Sequence, residues 1–321
     1  MDYISLLQKE MRPAFGCTEP IALAYAAAKA TSVLDEFPNH IHARCSANII
    51  KNVKSVVIPN SGGRKGLAAA TVLGAIVGHP ERELEVLEST TDEDRKWLGT
   101  LLEANFCTVE LAEGVDNLYI EITATTDEHT AVVRIENAHT NITYVSVDGN
   151  VISETINEIK EAESSTCQMT FDSIYEFAKA GDISGILLSI KQQVEYNTAI
   201  SNEGLSNDYG ANIGRLLLLD DETPSLETKC KAHAAAGSDA RMSGCPLPVV
   251  ICSGSGNQGL TVSMPIITTA EELGKTDEEL YRALVFANLL TLYVKSGIGK
   301  LSAYCGVVSA GIVSVAGIAF L

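Results

Sequence analysis

The sequence predicts an α+β domain over residues 1–160, followed by a mostly α-helical domain over residues 161–321. Between Thr108 and Val151, β-branched residues alternate with other residues in a pattern typical of a strand meander. Beyond it lies the acidic, serine-rich stretch ETINEIKEAESST, which indicates a domain boundary. The rest of the chain favours helices, at about 171–180, 183–203, 207–219, 225–242 and 276–297.

The first domain opens with helix and strand signals in alternation. An alanine-rich helix is expected over residues 18–36, because Thr18 is suited to an N-cap. Two short strands are expected at about 41–49 and 53–58. The loop NSGGRKG then precedes a helix in GLAAATVLGAIVG, and TTDEDRKWLGTLLEAN predicts an amphipathic helix with an acidic start. Within the meander, an Asp-Gly turn is expected at 148–149.

Charge and cysteine usage restrict the class of partner. The 321 residues include 23 Lys and Arg against 41 Asp and Glu, a formal net charge of −18. This balance argues against nucleic acids and anionic membranes as partners. The eight cysteines form no C-x-x-C motif, and the N-terminus lacks the apolar segment of a signal peptide. We therefore expect a cytoplasmic protein that binds a small molecule, with a homodimer as the default assembly.

The C-terminal segment 301–321 is uncharged and long enough to span a bilayer. Hydropathy alone therefore leaves a membrane anchor open. Its glycine, serine and alanine residues are instead typical of a helix packed inside a domain, which is the interpretation that we favour.

The segment Gly254-Ser-Gly-Asn-Gln-Gly259 has the G-x-G-x-x-G spacing of a dinucleotide-binding turn. PVVICS is expected to form a strand before it. No helix is expected after it, since LTVSMPIITT is rich in β-branched residues and contains proline, so NAD is not expected. The loop can still bind a small polar ligand, with Ser255, Asn257 and Gln258 as candidates, or it is a plain connection.

A second glycine-rich loop has a basic end. Next to Ser61, Gly62 and Gly63, the side chains of Arg64 and Lys65 stand just ahead of a predicted helix, an arrangement that suits a carboxylate or a phosphate. The loop does not match the P-loop motif. A solvated basic turn is the alternative.

Cys17 directly precedes the first long helix, where the positive end of the helix dipole favours a thiolate. It is therefore a candidate base or nucleophile, although the nearby Glu19 opposes the thiolate. The histidines form neither HExxH nor a serine-hydrolase order, and no lysine motif for PLP is present.

Together, the segments GCTEP, IPNSGGRKG, SDARMSG, SGSGNQG and LSAYCG resemble the L-cysteine desulfidases, which are related to the iron–sulfur L-serine dehydratase alpha chain. The resemblance covers essentially the whole chain. It implies a PLP-independent lyase that removes hydrogen sulfide from L-cysteine, or water from L-serine, and yields pyruvate and ammonia. It also implies a 4Fe–4S cluster on three cysteines, whose open iron acts as a Lewis acid.

The resemblance assigns roles to several residues. It makes Cys17 the base that takes the α-proton, and Cys305 the first cluster ligand. We expect the loop from Ser61 to Lys65, and the polar residues of the segment SGSGNQG, to hold the carboxylate and amine of the amino acid.

The sequence departs from the family pattern at its C-terminal end. The other two cluster cysteines are expected in a CDGAK-x-x-CA segment, which does not occur up to Leu321. We therefore expect a C-terminally truncated chain with an incomplete cluster and little activity. A non-catalytic amino-acid-binding or regulatory protein is the alternative function.

Overall fold

The computed structural model describes residues 2–155, 169–220, 222–298 and 305–321. The chain forms two compact units. The first, here called the sheet unit, comprises Phe15–Asn157 and Gly244–Pro246. The second, the helical unit, comprises Met1–Ala14, Glu158–Ser243 and Leu247–Leu321. Most of the predicted boundary stretch lies outside the described residues.

The elements follow one another along both units. The helices are α1 (Tyr3–Glu10), α2 (Thr18–Leu34), α3 (Ala47–Val53), α4 (Leu67–Val77), α5 (Asp92–Glu103), α6 (Phe171–Ala180), α7 (Leu187–Ser206), α8 (Ile213–Leu219), α9 (Leu226–Met242), α10 (Gly256–Glu272), α11 (Asp277–Ser296) and α12 (Gly306–Phe320). The strands are β1 (Pro13–Phe15), β2 (His40–Cys45), β3 (Cys107–Leu111), β4 (Tyr119–Thr125), β5 (Thr130–Glu136), β6 (Ile142–Val147), β7 (Asn150–Glu154) and β8 (Pro248–Val250).

The sheet unit is built on a six-stranded sheet in the order β3-β2-β4-β5-β6-β7. β2 and β3 run parallel, and the other neighbours are antiparallel. In β5, Ala131, Val133 and Ile135 are fully buried and alternate with partly exposed residues, so one face of the strand is packed. Helix α2 packs on β4 and β5. Strands β4 to β7 form the predicted meander, whereas β3 pairs in parallel with β2 and lies outside it. Asp148 and Gly149 have the positive φ angles of the predicted turn.

Small residues let α2 and α4 approach each other closely. Helix α2 is buried along most of its length and is rich in alanine. A Cβ at Gly74 of α4 would overlap the backbone of Ala24. This close contact packs the first half of α2, whose N-cap is Cys17, against α4.

Two local predictions are wrong. The strand expected at 41–49 ends at Cys45, and α3 follows, with its N-cap Ser46 accepting a hydrogen bond from the Ile49 N–H. The strand expected at 53–58 is absent from the described structure, where these residues form the end of α3, a turn and an isolated bridge at Val57. The prediction that no helix follows the glycines near residue 256 also fails. Helix α10 begins there and runs through Pro265, because the helix is buried along most of its length and this packing outweighs the local cost of a proline, about 3 kcal/mol.

The helical unit packs its helices around α10, which contacts α9, α11 and α12. Helix α12 buries one face through Ala310, Val313 and Gly317. Its opposite face exposes Val308, Ile312 and Val315. None of the helices that the structure describes is both long and apolar enough to cross a membrane.

Candidate functional site

In the sheet unit, the turn that carries Cys17 lies against the second glycine-rich loop. Gly16 has a φ of +58°, and a Cβ there would overlap the ring of Pro59, the residue just before the loop. The fold therefore brings two predicted segments together, GCTEP and PNSGGRKG.

The Cys17 thiol faces a carboxylate. Its Sγ donates to Glu19 Oε2 over 3.1 Å, and Glu19 Oε1 accepts from Asn52 Nδ2 over 3.1 Å. Cys17 is only 6% exposed. The helix start favours the thiolate of Cys17, whereas the carboxylate of Glu19 favours the protonated thiol. The two effects oppose each other, as the position of Glu19 two residues after Cys17 indicated. The pair can pass a proton between sulfur and carboxylate.

The loop before α4 exposes its backbone and its lysine. Gly62 and Gly63 have positive φ angles and, like Lys65, are exposed. The Ser61 hydroxyl donates to the carbonyl of Arg64 over 3.1 Å, so it is engaged within the loop. Arg64 is half-buried, and its guanidinium lies over Gly99 of α5, where a Cβ would overlap Nη2.

In the helical unit, Ser255 and Gln258 organise the start of α10. Ser255 is the N-cap, and its Oγ accepts from the Gln258 N–H over 3.3 Å. The Gln258 side chain is fully buried, and its Nε2 donates to the Cys252 carbonyl over 2.9 Å. Its Oε1 has no hydrogen-bond partner within the described chain. A Cβ at Gly306 would overlap that oxygen, so Gln258 joins the start of α10 to the start of α12.

Cys305 is the N-cap of α12, and its side chain is exposed and makes no capping hydrogen bond. Cys305 directly precedes Gly306, the residue that contacts Gln258. The preceding residues of LSAYCG lie outside the described residues.

Lys295, near the end of α11, was not among the predicted site residues. This lysine is only 5% exposed and interacts electrostatically with the thiols of Cys305 and Cys252. Burial lowers the pKa of Lys295, and the two thiols oppose that shift. Burial and the nearby Glu10 raise the pKa of Cys252, while Gln258 and Lys295 act in the opposite direction.

A pattern in the sequence could have found Lys295. Asn288, Thr291 and Lys295 lie three and four residues apart on the buried face of α11. Polar residues that recur on an otherwise apolar helix face indicate an internal polar site.

Arg241 was also missed, although it lies in the motif SDARMSG. It is 2% exposed, at the end of α9. Its Nη1 donates to Asn257 Oδ1 over 2.9 Å, so the side chain of Asn257 is engaged by this arginine. Its Nε has no partner in the part of the chain that the structure describes.

The side chains present do not by themselves fit the expected cluster. A 4Fe–4S cluster on three protein thiolates needs three cysteines around one point. Cys252 and Cys305 both interact electrostatically with Lys295. Over residues 2–155, 169–220, 222–298 and 305–321, however, no three His, Cys, Asp or Glu side chains are placed to hold a metal ion.

Comparisons with known proteins give a consistent result. The family model described as serine dehydratase alpha chain matches residues 81–321. A UPF0597 protein of Finegoldia magna is 46% identical over 323 residues, which cover 100% of this chain and 77% of that protein. UPF0597 proteins of Lachnoclostridium phytofermentans and Desulfitobacterium hafniense are 44% and 45% identical, over 99% of this chain and 76% and 74% of theirs.

Proposed function

This chain belongs to the serine dehydratase alpha chain family, and we propose that it is a PLP-independent lyase that eliminates hydrogen sulfide from L-cysteine, or water from L-serine. In this reaction a base removes the α-proton, and the bond from the β-carbon to sulfur or oxygen breaks. The leaving group departs with a proton. The aminoacrylate that remains becomes an imine, which water hydrolyses to pyruvate and ammonia.

The observation that carries this proposal is the buried polar cluster of Gln258, Lys295 and Cys252 in the helical unit, where Lys295 also interacts electrostatically with the exposed thiol of Cys305. The enclosed Gln258 Oε1 lacks a donor among the described residues, and a substrate ammonium group would supply one. The Lys295 cation is suited to stabilise the negative charge that develops on a departing thiolate or hydroxide.

The proposal keeps the roles that the resemblance assigns. Cys17 takes the α-proton, and its hydrogen bond to Glu19 gives that proton a further acceptor. Two segments are proposed to contact the amino acid, the loop from Ser61 to Lys65 and the segment from Ser255 to Gln258. A 4Fe–4S cluster would supply Lewis acid chemistry, but the described side chains do not fit it, and no step is assigned to it.

A non-catalytic amino-acid-binding protein is the second candidate. It is favoured by the buried Gln258 Oε1, which has no partner among the described residues and can accept from the ammonium group of an amino acid without any metal.

The test uses the full-length protein, purified without oxygen and reconstituted with iron and sulfide. We expect pyruvate and sulfide from L-cysteine, or pyruvate from L-serine, and the ratio of the two rates names the substrate. Cys17→Ser is expected to lower kcat at least about 100-fold, because a positioned base contributes that much. Cys107→Ser, in β3, is the matched control and should keep the rate. A reconstituted protein that binds L-cysteine or L-serine without turnover would establish the second candidate instead.

A further inference from the structure

Arg241 is a buried cation for which the described residues supply no counter-ion. Of its guanidinium nitrogens, Nη1 donates to the neutral Asn257 amide and contacts the sulfur of Met242, while Nε has no partner among those residues. The structure shows no ion pair between Arg241 and a carboxylate of the described residues. Removing a guanidinium from water is unfavourable unless an anion compensates its charge, so this position needs a negative partner.

The guanidinium lies at the start of a long helix. A Cβ at Gly256, the first residue of the 17-residue helix α10, would overlap Nε and crowd Cζ. Only a glycine at this position lets the arginine lie there. The helix end carries a partial positive charge of its own, so a cation placed on it adds to the potential that attracts an anion.

Donors at this helix end remain available. Ser255 Oγ accepts from the Gln258 N–H, and the Ser255 carbonyl accepts from the Gly259 N–H. The N–H groups of Gly256 and Asn257 have no acceptor among the hydrogen bonds of the described residues. The Nε of Arg241 lies against Gly256 and adds a third N–H donor at this helix end.

We propose that Arg241 and the N-terminus of α10 form a carboxylate-binding site that holds the α-carboxylate of the amino acid. This inference rests on the proposed function, because that function supplies the ligand. One guanidinium matches the two oxygens and single charge of a carboxylate. Asn257 acts as a positioning residue that orients Nη1 and leaves Nε directed at the ligand.

The test measures binding of L-alanine to the full-length protein by calorimetry. L-alanine has the carboxylate and amine of the substrates but no leaving group, so it binds without turnover. Alaninamide, which lacks the carboxylate, should bind at least about tenfold more weakly. Arg241→Gln is expected to weaken L-alanine binding about 100-fold, and Arg241→Lys less, since lysine keeps the charge but loses the planar fork.

A second variant answers the concern that Arg241→Gln fails to fold. Asn257→Asp places a carboxylate 2.9 Å from Nη1, where it pairs with Arg241 from within the protein. We expect a higher Tm and at least tenfold weaker L-alanine binding. If Arg241 had only a structural role, Asn257→Asp would raise the Tm without changing the affinity for L-alanine. Arg282→Gln, in α11, is the control, because Arg282 already pairs with Glu278 and backbone carbonyls.

The outcomes separate this inference from the proposed function. Unchanged L-alanine affinity in Asn257→Asp, or an unchanged preference for L-alanine over alaninamide in Arg241→Gln, would overturn the carboxylate site. Loss of L-alanine binding in these variants, in a protein that turns over neither L-cysteine nor L-serine, would support the site and reject the lyase. Turnover of L-cysteine or L-serine with a KM that Arg241→Gln leaves unaltered would support the lyase and reject the carboxylate site.

Discussion

Arg134 in the sheet unit and Arg241 in the helical unit are arginines whose charges are compensated to different degrees. Arg134 donates from Nε and Nη2 to Glu121 Oε2, over 3.2 and 2.8 Å. The same carboxylate accepts from Arg44 over 2.9 Å and from the Tyr119 hydroxyl over 2.8 Å. Arg241 is far more buried, yet its one side-chain oxygen acceptor is a neutral amide among the described residues.

The two arginines show that buried charge is used differently in the two units. Around Glu121 the donors and acceptors satisfy one another, so the cluster stabilises the sheet and offers little to a ligand. At the start of α10 the protein leaves a cation and helix N–H groups directed at the same place. Unsatisfied buried groups of this kind are more typical of binding sites than of structural cores.

The largest expected effect concerns the compensated cluster. Glu121→Gln should lower the free energy of unfolding at pH 7 by about 2 kcal/mol, because two arginines lose their carboxylate in a partly exposed site. Urea unfolding of both proteins measures this. Glu110→Gln is the control, since Glu110 is exposed and lies 3.9 Å from Arg44.

The pH dependence of this effect has a definite sign. Burial raises the pKa of Glu121, but hydrogen bonds from Arg134 and Tyr119 outweigh it and hold the pKa below its ordinary value of 4.5. A carboxyl whose pKa is lowered by folding contributes stability above its unfolded pKa and loses it as the pH falls through the folded one. The two proteins should therefore converge in stability below about pH 4.5. An equal difference at pH 7 and pH 3.5 would show that packing, not charge, stabilises the cluster.

The next effect concerns the start of α10. Gly256→Ala adds a methyl group where the Arg241 guanidinium lies, so we expect about tenfold weaker L-alanine binding. Gly99→Ala is the matched change, since Arg64 lies over Gly99 in the same way. Arg64 is half-buried and can move into solvent, and alanine favours helix over glycine by roughly 1 kcal/mol. Calorimetry and thermal unfolding of both variants should show the loss of binding for Gly256→Ala alone.

Local signals predicted much of the fold. The acidic start of α5 forms a capping box between Thr91 and Asp94, and the strand meander follows from its alternation of residues. The failures have a common cause. Pro265 and its β-branched neighbours disfavour a helix locally, and tertiary packing of α10 outweighs that preference.

The candidate site was predictable only in part. Cys17 at a helix start and the glycine-rich loops can be found from local patterns, and the structure places them at the starts of α2, α4 and α10. Arg241 cannot be found in this way, because its importance depends on burial against Gly256, fifteen residues away along the chain. No local sequence pattern shows whether a buried arginine has a counter-ion.

The smallest expected effect decides between the two arginines proposed near the substrate. Arg64 is half-buried, so its guanidinium keeps part of its hydration, and an ion pair that it forms with a ligand is worth at most about 1 kcal/mol. Arg64→Gln should therefore weaken L-alanine binding less than about fivefold, against about 100-fold for Arg241→Gln. Lys65→Gln, in the same exposed loop, measures the contribution of a neighbouring charge. If Arg64→Gln weakens L-alanine binding more than Arg241→Gln does, the loop from Ser61 to Lys65 binds the carboxylate, and Arg241 binds another anion.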